Sequence, residues 1–565
     1  MQNSTTEKVL ARVLSYGAAF TTILVVSGSV TDPVNAPKFM SIGVFSTIAF
    51  ALIMFSSPRK ILLGHRFLSL LILSFVVLMI SSLISSESPV SQNLYGSYGR
   101  NNGLLTYLFL SLILFAALAL KDLSSFEIIV KALLFAGLIN VLYCFWVLTF
   151  GDFIGWSNPY GNILGTLGNP NFIGSFLGIF FPSYLAFCLR SGATKFQKYS
   201  LLLVLPITAF EIYKSNAIQG RVVAALGLVI LGFFFIRARF SILVTVLYSV
   251  LSVTVGVTAL LGALQIGPLT EYIFKTSVSL RGQYWLAGWN TGQSHPITGV
   301  GMDSFGDWYR RSRDLHALEL PGVNTVVNAA HNVPLDIFAF GGWPLFVTYL
   351  MIMTLAATAI VKMLRRCKDF DGTLAVLVIG WTGYQIQSLI SINQIGLAVW
   401  GWLLSGAVLA YERMTKDEVH EGLAQRTIKP RSVQNKSVEP KLIVAGFVGG
   451  LVGLIVALPP LSSDAKWRNS QLERSVSALE ATMRPSYFNP QNSSKFLNNI
   501  QTLENSGLFE LSHKYAKQAV AWNPEDFYLW KILYLISAST PEEKSNALLN
   551  MKRLDPLNPD VTSIK

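Results

Sequence analysis

Ala329-Ala330-His331-Asn332-Val333-Pro334-Leu335-Asp336 marks where one long polar loop, about Gln265 to Asn332, returns to an apolar run. Everything else of comparable polarity is a short connection, a linker or the tail. The loop interrupts a train of apolar segments, and that alternation decides the fold class. The 565 residues are 52% hydrophobic and only 13% charged, with a mean hydropathy of +0.48. Soluble domains carry about 25% charged residues, so half that value points to a membrane protein. A helix needs about 20 apolar residues to cross a bilayer. About thirteen such runs recur, near 11–30, 39–56, 67–84, 103–120, 128–149, 171–189, 199–213, 221–236, 241–264, 333–361, 373–390, 395–411 and 442–460. The expectation is an all-α polytopic membrane bundle of about 12–13 transmembrane helices with a long external loop.

Basic residues set the orientation. Arg59, Lys60 and Arg66, then Arg190, Lys195 and Lys198, then Arg237 and Arg239, then Lys362, Arg365, Arg366 and Lys368 occupy alternate connections. The intervening loops, near 31–37, 85–102, 150–170 and 391–394, hold Arg100 alone. This bias puts the N-terminus in the cytoplasm and the 265–332 loop outside. An odd number of spans puts the tail outside as well. The first apolar run follows Lys8 and Arg12 like a signal sequence, but the runs behind it favour an uncleaved anchor. The net charge of +13 is then a topology signal, and nucleic-acid binding is not needed to explain it. Cys144 and Cys188 fall in apolar runs and Cys367 in a cytoplasmic loop, so no disulfide framework is expected outside.

Residues 1–411 read as one polytopic unit. A polar, basic linker follows over 412–441, with Lys429-Pro430 and Glu439-Pro440. A last span over 442–460, ended by Pro459-Pro460, recrosses the membrane. The 461–565 tail is polar, with apolar residues at helical spacing (Leu472, Val476, Leu479; Ala516, Ala519, Val520). Asn489-Pro490, Asn523-Pro524 and Asn558-Pro559 recur at separations of 34 and 35 residues. That is the tetratricopeptide period. A plain helical bundle reads equally well, and both describe an external helical domain.

Four residues invite chemistry. His331 stands where the loop re-enters the membrane, and an imidazole there suits a general base. The plainer reading is an interfacial histidine that hydrogen-bonds locally. Arg281, Trp285 and Trp289 share one helical face, which suits the headgroup layer. A guanidinium there is either an anchor or a planar donor fork for phosphate oxygens. Arg221 opens an apolar run on the external side, against the retention bias, where a helix N-terminus tolerates arginine best with an anion bound. Arg100, in Tyr98-Gly99-Arg100-Asn101-Asn102-Gly103, is the sole basic residue of its loop. Both are also compatible with snorkelling to headgroups. Gly168-Asn169-Pro170-Asn171 reads as a helix cap, and Pro296 through Phe305 as a Gly-rich shaping turn without the context of a P-loop. Asp303 and Asp307 lie four apart with no third ligand evident, and no Cys/His cluster has metal spacing, so neither a metal nor a cofactor is expected.

Gly99-Arg100-Asn101, Gly168-Asn169-Pro170-Asn171, Gly220-Arg221, Arg281 with Tyr284-Trp285, Pro296 to Phe305, and His331-Asn332 through Gly341-Gly342 together resemble the O-antigen ligase and polymerase superfamily. The resemblance runs from about residue 30 to 411 and is strongest over 160–345. It implies a GT-C-like, metal-independent glycosyltransferase of the bacterial plasma membrane, and attack opposite the leaving group would make it inverting. It would move a glycan from an undecaprenyl-diphosphate carrier to a glycan, lipid or protein acceptor at the outer face. By the family pattern Arg221 and Arg281 map to diphosphate-binding arginines, Arg100 more loosely, and His331 to the loop histidine, with Arg281 and His331 expected to be catalytic. The linker, extra span and external tail depart from a minimal ligase. Protein O-oligosaccharyltransferases share these motifs. Two other readings stay open: a polyprenyl-lipid transporter or flippase without bond chemistry, and a scaffold whose 461–565 tail recruits an envelope protein.

Overall fold

The computed structural model describes residues 4–56, 64–264, 266–267, 270–273, 276–424 and 439–564. Residues 425–438 of the 412–441 linker lie outside the described residues, as do Arg59 and Lys60, while 412–424 continue the helix that begins at Ile395. The described chain is helical, with only an isolated bridge between Ser486 and Asn489. The helices are α1 (Ser4–Ile23), α2 (Asn35–Ser56), α3 (Arg66–Ser85), α4 (Val90–Tyr95), α5 (Leu104–Ala117), α6 (Leu123–Phe150), α7 (Pro170–Leu189), α8 (Lys195–Lys214), α9 (Ile218–Arg239), α10 (Ile242–Ala263), α11 (Thr276–Ser294), α12 (Phe305–Ser312), α13 (Val333–Arg366), α14 (Gly372–Ile390), α15 (Ile395–Ala424) and α16 (Pro440–Glu473). The tail adds α17 (Val476–Met483), α18 (Ser493–Asn505), α19 (Phe509–Trp522), α20 (Phe527–Leu535) and α21 (Pro541–Leu554).

Among the described residues ten helices are long and apolar enough to cross a membrane. The other three expected runs also fold as helices. α1 and α8 fall outside that apolar set, and α5 has only 14 residues. α10 exposes almost its whole apolar surface, whereas α15 is nearly all buried. That contrast is what a bundle with a lipid-facing rim and a packed centre requires.

Local chemistry sets the helix ends. α1 stops at Ile23 although the apolar run continues, because the buried Lys38 ammonium donates to the carbonyls of Thr21, Thr22 and Leu24 at 2.6–3.1 Å. A cation on these terminal carbonyls also suits the helix dipole. α16 runs through Pro459-Pro460 to Glu473, beyond the expected stop at 460. Pro459 cannot donate to the Ile455 carbonyl, and the Tyr487 hydroxyl takes that place at 2.9 Å. α7 begins at an Asn169 cap that accepts from Asn171 N–H, with Pro170 in the first turn. Gly178 on α7 meets Gly220 on α9 so closely that an added Cβ would lie 2.5 Å from the Gly220 carbonyl oxygen. This small-residue contact fixes where α9 starts.

Connections of one parity gather at each end of the bundle. At one end Asn35 donates to Gly99 O, Asn102 to Asn393 O, and Thr31 and Asp32 N–H groups donate to Asp464. At the other, Glu7 accepts from Lys121, Asp122 and Ser125, Tyr411 bonds Asp371, and Arg366 pairs with Glu412. The 265–332 loop belongs to the first end. It is a folded element, not an open loop, because α11 and α12 form within it and pack on α13. The tail packs its own core around Phe496, Tyr515, Ala519, Leu529 and Met551. Two helical hairpins, α18–α19 and α20–α21, follow the first two Asn-Pro pairs.

Candidate active site at the loop-bearing end

His331 has a left-handed backbone (φ +56°), uncommon for a residue with a side chain. It is pinned on both sides. Ala330 N–H donates to Asp336 at 2.6 Å. Asn332 caps α13 by accepting from Leu335 N–H, while its amide donates to Leu389 O at 3.0 Å. The imidazole stacks on Tyr284 with ring centres 5.3 Å apart, and the Trp285 indole donates to the His331 carbonyl. Tyr284 and Trp285 lie three and four residues beyond Arg281 on α11, so one helix supplies both the ring beneath the histidine and the cation beside it. Trp289 packs on Phe338 and Trp343 of α13, so this aromatic face serves the helix–helix contact more than the headgroup layer.

Arg100 reaches the same place from the α4–α5 connection. Gly99 and Asn101 are left-handed, and Asp303 holds the segment by accepting from the Ser97 and Asn102 N–H groups at 2.7 and 3.2 Å. Among the described residues neither the Arg100 nor the Arg281 side chain has a hydrogen bond or ion pair. Burial lowers the pKa of each, which is the cost of holding a desolvated cation. Burial first, then the Arg100 and Arg281 charges, push His331 down to about 3, so the imidazole is neutral at neutral pH. Arg100, Arg281 and His331 therefore form one group. Arg221 is exposed on the first turn of α9 and takes part in none of these contacts. It lies at a similar height: Gln219 donates to Ile390 O, next to the Leu389 carbonyl that receives Asn332.

A cavity of about 560 Å³ opens beside Arg100. Asn169 of the helix cap lines it, as do Asp32, Asn393, Gln394 and Arg468. Asp32 Oδ2, Asn393 Nδ2 and Gln394 Nε2 are buried there without a partner among the described residues. Buried polar atoms are costly unless paired, so this wall suits a polar ligand. The Asp303–Asp307 pair does not converge. Asp303 serves the Arg100 loop, while Asp307 accepts from Ser88, Gln92 and Asn523. Among the described residues no three His, Cys, Asp or Glu side chains are placed to hold a metal ion. Sequence reasoning missed Asp32, Asn393, Gln394 and Arg468. The polar run Ser391 to Gln394 between two apolar helices was the available signal.

No curated protein matches the chain. The family model described as O-antigen ligase matches residues 201–350, a segment that contains Arg221, Arg281 and His331 but not Arg100. That match supports the O-antigen ligase and polymerase superfamily of membrane glycosyltransferases as what this segment is similar to.

Proposed function

We propose that the protein transfers a glycan from an undecaprenyl-diphosphate carrier to an acceptor hydroxyl at the outer face of a bacterial plasma membrane. The observation that carries this reading is a pair of guanidiniums without partners among the described residues, Arg100 and Arg281, both acting on a neutral His331, with Arg100 lining a polar cavity. A diphosphate between the two arginines would satisfy both, and Arg221 on the membrane-proximal rim would meet the carrier as it enters. His331 takes the proton from the acceptor hydroxyl. The hydroxyl oxygen attacks C1 of the donor sugar, the C1–O bond to the diphosphate breaks, and undecaprenyl diphosphate leaves with the electron pair. Attack opposite the leaving group inverts the anomeric centre. The bound anion also cancels the two charges that depress His331, so the imidazole becomes a stronger base only in the loaded site. The basic loops at the opposite end of the bundle support a cytoplasmic N-terminus, with the loop and tail outside.

Reconstitution with a labelled carrier-linked glycan tests this. Arg281→Ala and His331→Ala should each insert normally and lose about 100-fold or more of the transfer rate, the usual scale for removing one preorganised group. Unchanged transfer by both variants would refute the site. Movement of the lipid between leaflets with no carrier released would mean a flippase instead.

A further inference from the structure

A second cavity, of about 530 Å³, lies between the loop and the tail. Both cavities fall in the ~300–1,000 Å³ range of small-ligand sites. Tyr98 and Asn328 line both, so the two share a wall. The second is walled by Asn324 from the loop and by Gln491, Asn492, Ser494 and Trp522 from the tail. Gln491 is 5% exposed, and its Oε1 has no partner among the described residues. Trp522 is half-buried, with one side packed on Phe496.

The charged groups in this cavity are already engaged. Asp307 accepts from Ser88, Gln92 and Asn523. Arg310 donates to Asp555 and lies over the Phe527 ring at 4.3 Å. Asp526 accepts from Tyr528 N–H. What remains is amides and hydroxyls, which both donate and accept, beside an indole. Vicinal hydroxyls pair with such groups, and the C–H face of a sugar ring rests on an indole. A phosphate or a peptide carboxylate would find no unpaired cation.

We infer that this second cavity is a subsite for an uncharged oligosaccharide, continuing the glycan path from the first cavity onto the C-terminal hairpins. Identifying that oligosaccharide with substrate rests on the transferase reading. The subsite serves sugars remote from the reacting one, so its contribution grows with glycan length.

The probes are glycans of one and three repeat units, released by mild acid from the host's own lipid-linked glycan. They are titrated onto the full-length protein in nanodiscs. Ser494→Trp and Asn324→Trp fill the cavity from opposite walls at exposed positions, so both variants should fold. The three-repeat glycan should bind the parent at least tenfold tighter than the one-repeat glycan, and both variants should erase that advantage. Equal affinities for the two lengths, or an advantage that survives both variants, would overturn the subsite. Turnover of labelled carrier lipid is followed in the same preparations. Length-dependent, plug-sensitive binding without turnover would support the subsite and remove the transferase reading. Turnover with length-blind binding would remove the subsite alone.

Discussion

Asp303 is 2% exposed and holds the Arg100 loop through two backbone N–H groups on one carboxylate oxygen. Burial raises its pKa from 3.8 to about 7, outweighing those bonds and the Arg100 charge. Between these two values the fold keeps a proton that the unfolded chain has lost. The stability this group contributes is therefore present below about pH 4 and declines as pH rises to about 7. Asp303→Asn keeps an accepting oxygen and imitates the protonated form, so it should be tolerated and flatten that part of the stability–pH curve. Asp303→Ala leaves two buried N–H groups without an acceptor, at roughly 1–3 kcal/mol each, and frees Arg100. Thermal melts across pH 4–8 check both; an alanine variant as stable as the asparagine one would contradict this. His331, Arg281 and Arg100 were legible in the sequence because a cation or imidazole stands out where nearly everything else is apolar. Asp303 was noticed only as half of a metal-like pair, because its partners lie about 200 residues away in the chain.

The element that aims the histidine is α13, which is broken at Gly341 and Gly342. The short first piece, Val333 to Phe340, carries the cap and Asp336, and the rest is the span. The break is made by the Pro296–Phe305 turn. Val300 and Gly301 N–H groups donate to Ala339 and Phe340 carbonyls, and Trp343 N–H donates to Pro296 O. Gly299 is left-handed (φ +65°), and a Cβ there would fall 2.2–2.3 Å from the Phe340–Gly341 backbone. The reading as a shaping turn was therefore correct in kind, but what it shapes was hidden, because spacing along the chain does not reveal which helix a turn bonds to. Gly299→Ala combines backbone strain of about 1–3 kcal/mol with a backbone clash. It should displace the first piece of α13 and lower transfer at least as much as it lowers the melting temperature. Gly282→Ala, where a Cβ meets open space, serves as the control. Equal behaviour of the two variants in melts and transfer assays would show that the break does not position His331.

At the scale of the molecule, the tail is fastened to the loop that carries α12. Asp555 pairs with Arg310 at 2.5 Å and Arg313 at 2.7 Å, all three buried. Glu525 pairs with Arg311 and Arg553. Asn523 bonds both Gln92 and Asp307, which ties the hairpins to the segment bearing Arg100. The Asn-Pro spacing foretold the hairpins, since it recurs within the tail. Their docking was not legible, because Arg310-Arg311-Ser312-Arg313 reads as an ordinary solvated basic run until its carboxylates arrive from more than 200 residues away. A buried ion pair gives little net stability over an apolar contact, but removing one partner costs about 3–5 kcal/mol because a charge is left stranded. Asp555→Ala strands two guanidiniums. It should release the tail, expose the loop to limited proteolysis and lower transfer without touching Arg100, Arg281 or His331. Replacing all three partners with apolar residues (Arg310→Met, Arg313→Leu, Asp555→Leu) should recover much of the protease resistance, because no stranded charge remains. If Asp555→Ala leaves both proteolysis and transfer unchanged, the docking is incidental. If the triple variant is protected but transfers poorly, the ion pairs set the geometry of the Arg100 segment as well as the attachment of the tail.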